Sequence, residues 1–352
     1  MGTIKQNLAN NIETSGTFDA KDLTGTIPAA NIANSSLSDI VTVPSSASGG
    51  DLIQTVASDP PAPSLGDVWY NSTEQKVKLL GLTSASWATG TNLPTAVAGN
   101  GLAGTQTASV SFGGYVPPGA TAISGTNNYN GTSWTSSGSL PTGIRNCAAA
   151  GTQTAGLSVG GVNNPGGTLE YNGSSWSPSN NMISITVVPA QAAGLQTAAL
   201  AHNATNTELY DGTSWTASNA PVDGKIQGFT LGTQTAALSF GGEPITNVAE
   251  IFDGNSWTAI ASLNTSVQNQ GGFGTTSLAL SAGGNNPYVS ATELYDGLTW
   301  SSDATMNTGR SQVYGSGSVP AGLLAGGWTG SPSNAVEEYT GAAPVVRSIQ
   351  GS

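Results

Sequence analysis

Six registered copies of one unit between Gly104 and the C-terminus limit what this chain can fold into. The unit reads Gly-Thr-Gln-Thr-Ala, a short apolar run, Gly-Gly, a variable loop, Glu-Leu-Tyr-Asp-Gly and then Thr-Ser-Trp. Its first glycine falls at Gly104, Gly151, Gly194, Gly232, Gly274 and Gly317. The Gly-Gly pair begins at Gly113, Gly160, Gly241, Gly283 and Gly326, and Asn203-Ala204 replaces it in the third copy. The aromatic follows at Tyr129, Tyr171, Tyr210, Phe252, Tyr295 and Tyr339. A unit this short cannot bury its own apolar faces, so each copy must stack on its neighbours.

Residues 146–177 show what one copy builds. Small residues from Asn146 to Thr152 suit an inner strand where copies crowd together. Gly151-Thr152-Gln153 reads as a tight turn, and Thr154 to Val159 as a second strand ending at Gly160-Gly161. Thr168–Tyr171 reads as a third strand and Ser174–Ser177, with Trp176, as a fourth. Asn172-Gly173 between them predicts a two-residue type I′ hairpin. Four strands recurring with a period near 40 residues are the pattern of a β-propeller. One Tyr and one Trp per copy are expected to pack between blades. The sixth copy ends at Tyr339-Thr340-Gly341 without a Trp, while Trp87, in Ser84–Thr89, has no copy of its own. The expected fold is therefore all-β, a six-bladed propeller of four-stranded blades whose last blade is completed by the N-terminal strand at Trp87. Such closure hides sheet edges.

Gly-Gly, then Tyr, then Trp in each copy resembles the kelch-type β-propellers over residues 84–341; the third copy departs in lacking Gly-Gly and the sixth in lacking Trp. Asp19 to Ile32 resembles linking segments of tailed-bacteriophage fibre proteins, and the stretch around Asp67-Val68-Trp69-Tyr70-Asn71, followed by Lys76-Val77-Lys78-Leu79, is similar to a short hairpin of phage virion proteins. The resemblance implies a virion protein, assembled in the host cytoplasm and exposed on the particle, that attaches to other virion proteins through its N-terminal arm, with a homotrimer as one arrangement. The expected division is an extended arm over 1–60, a hairpin and linker over 61–83, the propeller over 84–345 and a tail over 346–352.

Composition narrows the function. The net charge is −12, with 8 Lys and Arg against 20 Asp and Glu, which argues against nucleic acid as a partner. Residues 1–50 show neither a basic leader with an apolar stretch nor a membrane-spanning run, so no membrane insertion is expected. Cys147, the single Cys, is expected to be an inert buried thiol, and His202, the single His, a surface residue rather than a ligand. Kelch-type copper oxidases need two His, which this chain lacks. Sialidase-type chemistry needs an Arg triad; here the arginines are Arg145, Arg310 and Arg347, and Arg347 falls in the expected tail. Glu208, Glu250, Glu293 and Glu337 recur two residues before the aromatic, and recurrence points to a structural role rather than a catalytic pair. No cofactor, no metal and no catalytic residue is expected.

A recognition role fits the loops. In an up-and-down blade the two tight turns share one face, while the second-to-third and inter-blade loops share the other. Those loops differ from copy to copy, the layout of a binding surface on a fixed scaffold. Tyr115, Tyr288 and Trp328 are aromatics outside the repeat pattern on that face, and Arg145, Asp223 and Arg310 lie on its inter-blade loops. Aromatics beside a few polar groups suit sugar rings, so a host-surface glycan is the expected ligand. A purely structural capsid-decoration, collar or tail role is the alternative, and a secreted lectin or glycan-active enzyme a more distant one.

Overall fold

The computed structural model describes residues 53–186, 190–284 and 288–349. The expected arm over 1–60 therefore lies almost wholly outside the described residues. The chain divides into two compact units, one of residues 1–84 with 342–352 and one of Ala85–Gly341.

Three strands open the described chain, β1 (Gln54–Val56), β2 (Val68–Asn71) and β3 (Lys76–Leu82), and β4 (Ser86–Thr89) follows. The first repeat gives β5 (Gly101–Thr105) and β6 (Ala108–Phe112), a small ribbon of β7 (Tyr115–Val116) and β8 (Thr121–Ala122), then β9 (Thr126–Tyr129) and β10 (Trp134–Ser137). The second gives β11 (Ala148–Thr152), β12 (Ala155–Val159), β13 (Thr168–Tyr171) and β14 (Trp176–Ser179). The third gives β15 (Gln191–Leu195), β16 (Ala198–His202), β17 (Thr207–Tyr210) and β18 (Trp215–Ser218). The fourth gives β19 (Phe229–Thr233), β20 (Ala236–Phe240), β21 (Ala249–Phe252) and β22 (Trp257–Ala259). The fifth gives β23 (Gly271–Thr275), β24 (Leu278–Ala282), β25 (Thr292–Tyr295) and β26 (Trp300–Ser302). The sixth gives β27 (Tyr314–Ser318), β28 (Ala321–Ala325) and β29 (Val336–Thr340), and β30 (Pro344–Ile349) ends the description.

In the smaller unit the sheet order is β1-β2-β3-β30, with β1 parallel to β2 and the rest antiparallel. The β2–β3 hairpin stands where the Trp69 motif lies. The segment read as a tail needs correction, since Leu82 pairs with Pro344 and Val77 with Ile349, making residues 346–349 part of an edge strand. Val345, Arg347 and Ile349 turn one way along it and are less exposed than the residues between them, an alternation that marks a strand with one sheltered face. Arg347 Nη2 donates to the Leu82 carbonyl at 2.9 Å. Asp59 gathers hydrogen bonds from Lys78 Nζ (2.8 Å), Asn71 Nδ2 (2.8 Å) and Trp69 Nε1 (3.0 Å). These bonds, that of Lys78 foremost, hold its carboxyl down at about 2.

The larger unit consists of repeated four-stranded antiparallel sheets, an arrangement consistent with a β-propeller. Five are each formed by four strands of one repeat, consecutive except in the first, where the β7–β8 ribbon intervenes between β6 and β9. The sixth takes β27, β28 and β29 from the last repeat and β4 from the start of the unit, with Trp87 opposite Tyr339. The inner strands neighbour one another in order, β5 to β11, β15, β19, β23 and β27, and β27 neighbours β5.

The repeated residues explain why these sheets form. In every sheet of the larger unit the Tyr or Phe at or next to the end of the third strand stands opposite a Trp on the fourth, with ring centroids 4.7 Å apart for Tyr129–Trp134 and 5.2 Å for Phe252–Trp257, the two extremes. The indole N–H then reaches the preceding sheet: Trp176 donates to Thr126 Oγ1, Trp215 to Thr168 Oγ1 and Trp257 to Thr207 Oγ1, each at 2.9 Å. Trp87 donates to the Ala304 carbonyl at 2.8 Å.

The glutamine of Gly-Thr-Gln is a second tie, and its role goes beyond the turn expected from sequence. Gln153 Nε2 donates to the carbonyls of Ser109 (3.0 Å) and Tyr129, which face each other on the middle strands of the preceding sheet. Gln196 does the same to Gly156 and Tyr171, and Gln234 to Ala199 and Tyr210. Gln106 of the first sheet reaches Gly322 (3.0 Å) and Tyr339 (2.8 Å) of the sixth. The fifth and sixth repeats carry Thr276 and Val319 at that place. There the joints rest on rings instead, Phe240 on Trp300 at 5.2 Å and Phe273 on Tyr339 at 5.6 Å.

The recurrent glutamates clamp loops. Glu208 accepts the backbone N–H groups of Ile183 (2.7 Å), Ser184 (2.6 Å) and Ile185 (3.0 Å). Glu250 holds Val222 and Asp223 N–H and Lys225 Nζ, Glu293 holds Asn264 and Thr265, and Glu337 holds Asn307, Thr308 and Arg310. All four are buried, so each carboxylate satisfies loop amides that lead into its own sheet.

The third-to-fourth turn differs from the expected two-residue hairpin. Tyr171 pairs with Trp176, leaving a four-residue loop. Asn172 Oδ1 accepts the N–H of Ser174 (3.0 Å) and Ser175 (2.9 Å), an Asx turn, and positive φ occurs at Gly173 (94°) alone. Asp211, Asp253 and Asp296 do the same in their repeats.

Replacing Gln153 by Ala leaves two interior carbonyls without their donor and is expected to lower stability by about 1–3 kcal/mol. Thr154→Ala, an exposed neighbour, should change it by no more than ~0.5 kcal/mol. Urea melts of both variants check this, and an equal, small effect from the two would contradict an inter-sheet role for the glutamine.

Candidate binding face

Four of the six residues singled out from sequence form one chain of contacts. The loop from β6 to β9 folds into the β7–β8 ribbon and is fixed by Tyr115, whose N–H donates to the Ala98 carbonyl at 2.9 Å. The Tyr115 ring is largely buried, and its hydroxyl donates to Gln312 Oε1 at 2.6 Å. Burial raises the pKa of this phenol, keeping it a neutral donor. The Arg145 guanidinium lies 5.6 Å from the centre of that ring. Trp328 also approaches that ring, with centroids 6.0 Å apart. Trp328 is held by reciprocal backbone bonds with Ser311, 2.7 and 3.0 Å, and its indole N–H donates to the Tyr288 hydroxyl at 2.8 Å. Tyr288 is 44% exposed and Trp328 half-buried, so the rim of this cluster faces solvent. The loops come from repeats one, two, five and six.

Arg310 does not belong there. It is fully buried, with Nη2 3.0 Å from Glu337 Oε1 and Nη1 donating to the carbonyls of Gly326 (3.0 Å) and Ala335 (2.6 Å). Its position on a loop of the right face was legible, but the glutamate that draws it inward lies in the next β-hairpin. Lys225 takes the same inward path to Glu250 at 3.3 Å. Asp223 is half-buried on the loop into β19, where its N–H is held by Glu250 at 2.9 Å, and it makes none of the aromatic contacts.

Sequence reasoning missed a ring of carboxamides beside this cluster. Two residues before five of the six inner strands the backbone turns left-handed, at Gly99 (φ 62°), Asn146 (53°), Gln227 (58°), Asn269 (55°) and Gln312 (48°). The equivalent position of the third repeat, residue 189, lies outside the described residues. These residues join head to tail through the main chain. Asn146 N–H donates to the Gly99 carbonyl (2.7 Å), Gly99 to Gln312 (3.4 Å), Gln312 to Asn269 (2.7 Å) and Asn269 to Gln227 (2.8 Å). Repeated Asn or Gln at one register, with Gly in the first copy, was the available signal, because Gly and Asn tolerate positive φ.

His202 also needs correction. It is fully buried, tilted at 55° against Trp257 with centroids 4.7 Å apart, and its Nε2 lies 2.8 Å from Thr230 Oγ1. Thr230 donates to Gln191 Oε1 at 3.0 Å, which leaves its oxygen to accept the His202 N–H. The register shows why: His202 ends the second strand of its sheet, where Phe112 and Phe240 stand in the first and fourth. Cys147 is buried, and burial pushes its thiol up to about 11. Among the described residues no group of three or more His, Cys, Asp or Glu is placed to hold a metal ion, and no helix is long and apolar enough to cross a membrane.

No family model matches the chain, and no curated protein matches it. Among solved structures it is similar to YjhT, with a TM-score of 0.57 and 12% identity, over 73% of this chain and 99% of that one. At that identity the likeness shows the fold alone, a β-propeller type, and such a fold does not decide between binding and catalysis.

The buried imidazole yields a pH prediction. Burial, with the nearby Lys225 charge, depresses His202 from 6.5 to about 3. The unfolded chain therefore takes up a proton as pH falls below 6.5 while the folded chain does not, and stability drops at about 1.4 kcal/mol per pH unit until about pH 3. His202→Phe should remove this part of the acid limb, because phenylalanine already fills the register in two sheets. Denaturation curves from pH 7 to 4 test it, and an unchanged slope in the variant would contradict the assignment.

Proposed function

We propose that the chain is a bacteriophage virion protein, a tail fibre or other surface appendage, whose repeat unit is a closed six-bladed kelch-like propeller presenting a host-glycan recognition face. The ring closure is supported by β4 completing the last sheet and by the neighbouring of β27 and β5. The arm over residues 1–60 attaches the protein to other virion proteins, and a homotrimer is the arrangement its fibre-like segment favours. The protein acts by binding rather than catalysis, since its four recurrent buried glutamates are engaged with loop amides.

The observation that carries the reading is the Tyr115–Trp328–Tyr288 cluster. These rings fall outside the blade register, so the stacking that accounts for Trp176 or Trp257 does not account for them. They sit on variable loops, with the Trp328 indole, the exposed Tyr288 phenol and the Arg145 guanidinium beside the buried Tyr115 ring. Flat apolar rings edged by hydrogen-bonding groups match the apolar faces and hydroxyl edges of sugars. Single-site affinity is expected near millimolar, about −4 kcal/mol, with adhesion arising from many copies on one particle.

Trp328→Ala and Tyr288→Ala are expected to weaken glycan binding about tenfold each, roughly 1.4 kcal/mol, and to reduce adsorption of assembled particles without changing the melting temperature. Unchanged adsorption in the double variant would overturn the recognition role and leave a structural one.

A further inference from the structure

Asn is followed by Gly at three places, Asn100, Asn130 and Asn172. The main-chain nitrogen after an asparagine can attack its side-chain amide, and glycine, lacking a Cβ, lets the two approach. Asn130 and Asn172 are exposed and open the third-to-fourth turns of repeats one and two. Asn130 Oδ1 accepts the N–H groups of Thr132 (3.0 Å) and Ser133 (2.8 Å) and both their hydroxyls (2.9 and 3.3 Å). Asn172 Oδ1 accepts the N–H groups of Ser174 (3.0 Å) and Ser175 (2.9 Å) and both their hydroxyls (3.0 and 3.3 Å). Among the described residues nothing bonds Nδ2 of either asparagine or the N–H of Gly131 or Gly173. Each amide carbon is thus polarised by four donors, while the nitrogen that would attack it and the nitrogen that would leave it are unengaged.

Asn100 meets none of these conditions. It is fully buried, its Nδ2 donates to Ser111 Oγ at 3.0 Å, and no donor reaches its Oδ1. Gly101 is fixed in β5 opposite Phe112. Repeats three to five carry Asp211, Asp253 and Asp296 at the register of Asn130, and the same two N–H groups of the turn bond their Oδ1. Those bonds hold the three carboxyls below the usual range, and an ionised carboxylate is a poor electrophile. They also show that an aspartate fits this turn.

We propose that Asn130 and Asn172 are self-modification sites, whose own turns convert them to aspartyl residues without an enzyme; the inference is independent of the glycan reading. The glycine nitrogen gives its proton to a solvent base and attacks Cγ of the asparagine. Negative charge develops on Oδ1, where the four donors stabilise it as an oxyanion hole does. Nδ2 takes up a proton and leaves as ammonia, and a five-membered cyclic imide remains. Water then opens the imide, so that amide plus water becomes carboxylic acid plus ammonia. Breaking the bond from Cγ to nitrogen gives aspartate, which restores the turn seen at Asp211. Breaking the bond from the α-carbonyl to nitrogen gives isoaspartate, which adds one carbon to the main chain inside a four-residue loop. Each event adds one negative charge, and the aspartate product gives the first two repeats the turn chemistry of the next three.

The three Asn-Gly pairs supply their own controls. The full chain is incubated at mildly alkaline pH in heavy-oxygen water, folded and in urea, and peptide mass spectrometry follows the label at each asparagine. In urea the three sites should convert at similar rates. In the folded chain Asn130 and Asn172 should convert at least as fast as in urea, giving both aspartate and isoaspartate, while Asn100 converts about tenfold more slowly. Ser174→Ala removes one of the four donors and should slow Asn172 several-fold while leaving Asn130 unchanged. Asn130→Asp and Asn172→Asp should keep the melting temperature, because Asp211 already makes this turn. Any of three results overturns the proposal: no label at Asn130 and Asn172 in the folded chain, folding that slows them as much as it slows Asn100, or an Asn172 rate that Ser174→Ala leaves unchanged or raises.

Discussion

Cohesion between sheets is the constraint on which this structure depends. Strand pairing completes each four-stranded sheet internally, and between sheets the backbone bonds through loops, as from Asn146 to Gly99. Two side chains of the repeat tie the strands of one sheet to those of the next. The glutamine amide bonds two facing carbonyls of the preceding sheet, and the tryptophan stacks on its own hairpin's aromatic while its N–H reaches back. The same links join the last sheet to the first, where Gln106 reaches Gly322 and Tyr339. Where a repeat lacks the glutamine, phenylalanine rings occupy the joint. Uniform turns on one face follow from this, because the turn that carries the glutamine has little freedom to vary.

The other face is free of that demand. Its loops are secured from below by the buried glutamates, which take up loop amides as they lead into each sheet. A loop anchored at its base can change length and sequence at its tip without disturbing the sheets. Tyr115, Trp328 and Tyr288 exploit this, as do Asn146, Gln227, Asn269 and Gln312 beside them. The proposed recognition surface is thus a product of the same anchoring that stabilises the sheets.

The repeat made the sheets legible, since Gly, Tyr and Trp in fixed order set strand ends and hairpin pairs. The orphan strand at Trp87 was legible from the missing Trp of the last repeat. Side-chain direction was not. Arg310 and His202 looked peripheral because sequence position gives the loop or strand end, whereas a buried Glu337 and an aromatic slot decide where the side chain goes. The turn type was misjudged because Asn-Gly favours a type I′ hairpin, while the Asn172 side chain captured two backbone N–H groups and opened the loop. Strand β30 escaped notice since its partner β3 lies far away in sequence. Tyr115, Trp328, Tyr288 and Arg145 did come together, but the neighbouring Asn and Gln ring was passed over because each residue alone resembles ordinary loop composition.

The pairing of β4 with β29 carries the account of a closed ring, and a crosslink reads it directly. Ser86 and Thr340 face each other at the end of that pairing, and both are exposed. Cysteines at Ser86 and Thr340 should form a bond within one chain on mild oxidation, seen as a faster-migrating monomer on a non-reducing gel with an unchanged folded signal. Absence of the bond, or bonds between chains only, would contradict the closure.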